Sequence, residues 1–118
     1  MEFFIRKGAT DPILKMRLID DGKNDKSSFN DKLETATITF EMLDPKTGEY
    51  QILDSPCDVA LRSKRYGYST DEIYITYRFT SQQTLITGKF EGKINITFDD
   101  GNLLIVPVKE KLYINIIS

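Results

Sequence analysis

The chain has 118 residues, with 16 Lys and Arg against 18 Asp and Glu, a net charge of −2 and a hydrophobic fraction of 40%. That is one domain's length with apolar side chains enough for one core, and the near-neutral balance supplies no global field to draw it to nucleic acid or an anionic membrane. The chain has no histidine and a single cysteine, Cys57. This excludes histidine bases, Ser-His and Cys-His nucleophile systems, most zinc sites and an internal disulfide, and it fits a reducing compartment.

The first residues, "MEFFIRKGATD", are too short and too charged for a signal peptide, so by this route the protein is not secreted. Phe3, Phe4 and Ile5 are consecutive apolar residues, and one parity must face away from whatever the other packs on. The segment is therefore either a strand capping its own sheet or an arm that docks on a neighbour. "PILKMRLI" then alternates, with Leu14, Met16 and Leu18 on one face and Lys15 and Arg17 on the other. The acidic loop that follows, "DDGKNDKSSFND", invites a calcium reading. An EF-hand loop needs Gly at its sixth position and Glu at its twelfth. Counted from Asp20 those places hold Asp25 and Asp31, so a solvated loop is the better reading and no metal site is expected. "NDKLET" has the makings of a short helical turn, with Asn30 as its cap.

"TATITFEM" sets Ala36, Ile38, Phe40 and Met42 against Thr35, Thr37, Thr39 and Glu41, and "DPKTG" at 44–48 supplies the turn to a following strand. Cys57 has no neighbour that would activate a thiolate and reads as a small structural hydrophobe. The stretch "LRSKRYGYSTDE" brings Arg62, Lys64 and Arg65 close in sequence to Tyr66 and Tyr68. Basic and aromatic residues together suit single-stranded nucleic acid, but Tyr and Arg are also the residues enriched at protein contacts. With a negative net charge the protein contact is preferred. Phe3, Phe4, Arg62, Arg65, Tyr66 and Tyr68 are accordingly the candidate interface residues.

"IYITYRF" sets Ile73, Ile75, Tyr77 and Phe79 against Tyr74, Thr76 and Arg78. "TSQQTL" opens on Thr80 or Ser81 and carries Gln83, the spacing of a capping box. A long alternation follows, with Phe90, Gly92, Ile94, Ile96 and Phe98 on the inward parity. Gly92 interrupts that face and lets a bulky neighbour or second backbone come close. "DDGN" at 99–102 reads as a hairpin turn, and Pro107 implies an edge position or a bulge in the late strand "LLIVPV". That run is far short of the roughly 20 apolar residues of a membrane helix. "NIT" at 95–97 matches a glycosylation sequon by accident of a mid-strand position. Carboxylate pairs such as Asp99–Asp100 and Asp71–Glu72 fall in turn-like segments with no partner acid or base. There is no dinucleotide or phosphate loop, so neither a cofactor nor an enzymatic activity is expected. Seven or so short strands with regular turns point to one antiparallel β-sandwich domain over residues 1–118.

The order of these parts resembles that of the N-terminal Ig-like domain of phage baseplate upper proteins. "RKGATDPILKMRLIDDGKND" is similar to the family's opening, with Gly8, Thr10, Pro12 and Asp21-Gly22 in the places of its Gly-x-Thr and Asp-Gly. "ETATITFEMLDPKTGEY" resembles its small-residue-led strand and D-P-x-x-G hairpin. "YRFTSQQTLITGKFEGKINITFDDGNLLIVP" resembles its sequence of aromatic–Thr, helical turn, Gly–aromatic, long strand, Asp-Gly and Pro. The likeness runs from about Phe4 to Ile116. It departs at Phe79, where the family commonly has a Trp near the helical turn, and over 53–72, which is longer and more polar. The resemblance implies an all-β, antiparallel Ig-like sandwich of about seven to nine strands with one short helical turn. It also implies a non-enzymatic virion component, assembled in the host cytoplasm as a docking, adaptor or decoration module among other phage structural proteins. Such a module would be present in many copies or as a homo-oligomer, with neither nucleic acid nor membrane as partner. Because the chain ends directly after "LYINII", it reads as such an anchor with nothing appended. The alternative from another class is a carbohydrate- or ligand-binding sandwich with Tyr66, Tyr68 and Tyr74 as a stacking platform.

Overall fold

A computed structural model describes residues 1–18, 33, 35–62 and 72–118, with the side chains of 61, 62 and 72 left aside. The strands in chain order are β1 (Glu2–Arg6), β2 (Leu14–Leu18), β3 (Thr37–Leu43), β4 (Tyr50–Pro56), β5 (Asp58–Arg62), β6 (Glu72–Tyr77), β7 (Gly88–Thr97), β8 (Leu103–Val106) and β9 (Leu112–Ile117). The molecule is an all-β sandwich. A six-stranded sheet runs β1-β9-β7-β3-β4 with β8 also on β7, and a three-stranded sheet runs β2-β6-β5.

The two-residue alternation decides which side chains are enclosed. Leu14 and Met16, then Ile38, Phe40 and Met42, then Ile75 and Tyr77, then Phe90, Ile94 and Ile96 are all buried, on the parities read from the sequence. Phe98 and Leu18 are half-buried and pack against the same core. β7 is the spine of the larger sheet. One of its edges takes β3 along Glu91–Thr97, and the other is shared by β9 over Gly88–Gly92 and β8 over Ile94–Thr97.

Gly92 sits on β7 between β3 and β9, where their inward side chains crowd it. A Cβ there would meet Phe40 Cε1 at 3.2 Å, Ile114 Cγ1 at 3.3 Å and Leu112 Cδ2 at 3.3 Å. Close approach, not an unusual backbone angle, makes glycine the residue for this place.

The turns follow their chemistry. At 44–49 the Asp44 carboxylate accepts the Lys46 N–H at 2.9 Å, and Gly48 takes φ 75° and donates to the Asp44 carbonyl at 2.7 Å. At 98–102 Gly101 takes φ 87° and donates to the Phe98 carbonyl at 2.9 Å, while the Asp100 carboxylate accepts the Asn102 N–H at 3.0 Å. The expected helical turn at 80–85 is one turn closed by a reciprocal capping box. The Gln83 N–H donates to Thr80 Oγ1 at 3.3 Å, and the Thr80 N–H donates to Gln83 Oε1 at 3.0 Å.

That box is wired to the core. Tyr77 Oη lies 2.9 Å from Gln83 Oε1 and 2.8 Å from Ser55 Oγ. An amide oxygen can only accept, so Tyr77 donates its one proton to Gln83 and accepts from Ser55. Next to it Thr84, fully buried, donates to the Ala9 carbonyl at 2.9 Å, and Gly8 N–H donates to the Thr84 carbonyl at 3.1 Å. The helical turn thereby holds the corner where the chain crosses from β1 to β2.

Two features differ from the sequence reading. β1 and β9 run parallel, whereas the other pairs among the described residues are antiparallel. The two strands come from opposite ends of the chain, so no hairpin dictates their relative direction. β4 also carries irregular pairing with β3, with register shifts after Phe40 and Met42 and a positive φ of 52° at Asp54. Leu53, at 57% exposure, follows the buried Ile52 and faces out, and neither this bulge nor β5 was marked by any strong alternation.

Two outcomes test the packing. Gly92→Val should cost about 1–3 kcal/mol through overpacking, read as a lowered urea midpoint, and an unchanged midpoint would mean the three facing side chains move freely. Gln83→Ala should cost about 1–3 kcal/mol, and in a double-mutant cycle with Tyr77→Phe the two costs should be non-additive. Strict additivity would show that cap and core are independent.

Candidate docking surface

Outward parity on the larger sheet produces two unlike regions. The first is a polar mesh over β1, β9 and β7. Lys89 Nζ lies 2.9 Å from Glu2 Oε1 and 4.4 Å from the Tyr113 ring centroid, and the Asn115 amide donates to Glu2 Oε2 at 2.9 Å and to the Phe3 carbonyl at 3.2 Å. The bonds from Lys89 and then Asn115 hold the Glu2 carboxyl below its ordinary value of 4.5. Further along β3, Asn95 donates to Glu41 Oε1 at 2.9 Å, and the same carboxylate, by its charge and a hydrogen bond, pushes the Tyr50 hydroxyl above its ordinary value.

The second region carries no charge. In register across β3, β7 and β8 lie the rows Thr37–Thr97–Leu103 and Thr39–Asn95–Ile105. Leu103 is 58% exposed and Ile105 42%, and Val108 beyond the strand end is 74% exposed. β8 pairs only with β7 among the described residues, so its outer edge is open, and Pro107 stands directly after its last residue, Val106. The sequence held a signal for this patch. In "LLIV" both parities are apolar, so one had to face solvent, as with Phe3-Phe4-Ile5.

The interface residues named from sequence fall in different places. Phe3 turns inward and stacks on Phe79 with ring centroids 5.8 Å apart, whereas Phe4, at 56% exposure, faces out. With Ile5 buried and β1 in register on β9, the N-terminal segment caps its own sheet. Arg62 closes β5 opposite Glu72, and its side chain lies outside the described residues, as do Arg65, Tyr66 and Tyr68 and the acidic loop from Asp20 to Asp31. Tyr74 is half-buried on β6 with Lys15 Nζ 5.8 Å from its ring centroid, so it is not a bare stacking platform. Cys57 is half-buried, and burial, with Asp58 beside it, pushes its thiol up to about 12. Among the described residues no helix is long and apolar enough to cross a membrane, and no three acidic or sulfur ligands converge on one point.

Compared with protein-family models, curated proteins and solved structures, the chain matches none.

The pH dependence of the polar mesh has a definite sign. A carboxylate held low in the folded state contributes above its unfolded pKa, and the contribution is lost as pH falls through the folded value. A carbon-detected NMR titration should place the Glu2 midpoint below 4.5 and show it rising in Lys89→Met. A midpoint indifferent to residue 89 would mean that the ion pair does not persist in solution.

Proposed function

We propose that this chain is a non-enzymatic bacteriophage virion protein that works as a docking module. It is an adaptor or decoration subunit in a tail, baseplate, fibre or capsid assembly, built on an Ig-like sandwich. The observation that carries the reading is the uncharged block on the larger sheet, where Leu103 and Ile105 stand exposed beside Thr37, Thr39, Asn95 and Thr97. Exposed apolar area next to an open strand edge suits a partner that adds a strand and covers the side chains with its own. Binding would then come from area and backbone hydrogen bonds, with no reaction and no cofactor. The order of turn and strand motifs, from the Gly8 segment to Pro107, supports the virion context. In that context the partners are other phage structural proteins, met in many copies after synthesis in the host cytoplasm.

The test is co-assembly. The purified chain, incubated with virion proteins of a phage whose structural genes neighbour its own, should be retained on one of them. The double variant Leu103→Lys/Ile105→Lys should lose that retention with its urea midpoint unchanged. Absence of the protein from virions by mass spectrometry, or retention that survives the double variant, would sink the proposal.

A further inference from the structure

The edges of the larger sheet are not alike. β4 is bulged at Leu53–Asp54, a device that discourages strand addition, and β8, four residues up to Val106, is the edge beside the Leu103–Ile105 block. β1 is regular over its five residues, and its outer side has no strand partner among the described residues. Its bonding to β9 is fixed by two end contacts. Tyr113 N–H donates to the Met1 carbonyl at 2.9 Å, and Lys7 N–H donates to the Ile117 carbonyl at 2.6 Å. In a parallel ladder alternate residues bond to the same side. Met1, Phe3, Ile5 and Lys7 therefore bond towards β9, and the backbone groups of Glu2, Phe4 and Arg6 point to the open edge. The Arg6 carbonyl already accepts from Ala9 N–H at 3.0 Å. The Glu2 and Phe4 N–H and carbonyl groups and the Arg6 N–H remain, and the Arg6 carbonyl keeps a second lone pair for the Glu2 N–H of a paired strand.

This set is self-complementary. We propose that two copies of the chain pair through β1, antiparallel about a two-fold axis at Phe4, and so join their larger sheets into one. Phe4 then faces Phe4 of the second copy and exchanges both backbone bonds with it. Each Arg6 N–H finds a Glu2 carbonyl, and each Arg6 guanidinium faces a Glu2 carboxylate on the outer surface. No other antiparallel register brings all three outward residues into bonded pairs while matching both charges. Among the described residues Arg6 makes only a long contact, 3.4 Å to the Ser118 carbonyl, so its charge is available. β5 has a similar spacing of Asp58 and Arg62, but its midpoint is Ala60, which offers no ring to clasp. The contact is isologous and closed, and it goes beyond the docking role of the β8 block without depending on it.

A five-residue edge lies at the small end of specific interfaces, so the dimer is weak in isolation and gains by avidity in an array. Sedimentation velocity on the full chain from about 10 μM to about 1 mM should show a concentration-dependent monomer–dimer equilibrium. Arg6→Glu sets like charges opposite each other twice and should weaken dimerisation about tenfold or more. Phe4→Glu should abolish it, while the melting temperature stays within a few degrees because the side chain is already largely exposed. Paired Cα atoms at the axis would be about 5.5 Å apart, within disulfide reach. Phe4→Cys should therefore form a covalent dimer under mild oxidation, and Lys89→Cys, on the same face but off the edge, should not. A monomer at every concentration, a dimer indifferent to Arg6→Glu and Phe4→Glu, or equal crosslinking at positions 4 and 89 would overturn the proposal. None of these outcomes bears on co-assembly through Leu103 and Ile105, so the two readings fail separately.

Discussion

The fold rests on the contact between Phe40 and the pair Tyr77–Phe79. Phe40 comes from the larger sheet, Tyr77 from the smaller, and Phe79 from the segment just past it. The Phe40 and Tyr77 rings stack with centroids 4.5 Å apart, and Phe79 meets both edge-on, at 5.6 and 5.1 Å. All three are buried. Such pairs contribute about 0.5–1.5 kcal/mol each beyond area burial, but their position matters more than the sum. They hold one sheet over the other where neither has a covalent staple. Phe3 extends the cluster by stacking on Phe79, which draws β1 against the rest of the core.

Tyr77 also carries the polar wiring. A buried hydroxyl must find partners or incur the cost of desolvation. Here the partners are Ser55 on β4 and Gln83 in the capping box. The same ring that joins the sheets therefore positions the turn leading into β7. Thr84 in that turn fixes Gly8 and Ala9, and with them the crossover from β1 to β2. A constraint that begins as aromatic packing thus reaches the open edge at one end of the larger sheet.

The two outward regions of that sheet differ in their chemistry. Around Glu2 the carboxylate is bonded to Lys89 and Asn115, and the mesh keeps β1 in register while leaving its far edge open. The rows of Leu103 and Ile105 hold no ionisable side chain of their own, so removal of water from their apolar groups strips no charge, although Asn95 reaches the Glu41 carboxylate of the neighbouring row. The exposed loop residues Leu85 and Ile86, by contrast, belong to no strand row.

Alternation in the sequence was enough to assign the sandwich and the inward residues of β2, β3, β6 and β7, because side-chain direction in a strand has a period of two whatever the partner, but not the buried Ile52 of β4, Val106 of β8 or Leu112, Ile114 and Ile116 of β9. Leu14 and Met16, Ile38 to Met42, Ile75 to Phe79 and Phe90 to Ile96 were legible for that reason. So were the turns at Gly48 and Gly101 and the cap at Thr80–Gln83, since each depends on residues within a few positions. The candidate surface was legible only in part. Phe4 is legible as outward, and "LLIV", apolar on both parities, must likewise expose one of them. Phe3 was grouped with Phe4 although they point opposite ways. What only the tertiary structure decided is everything that depends on which strands meet. β9 took β1 in parallel, β7 shared one edge between two partners, and Asp54 was bulged. Alternation is a local property and pairing is not. A strand's neighbour is chosen by contacts distant in sequence, and that choice leaves one edge open and closes another.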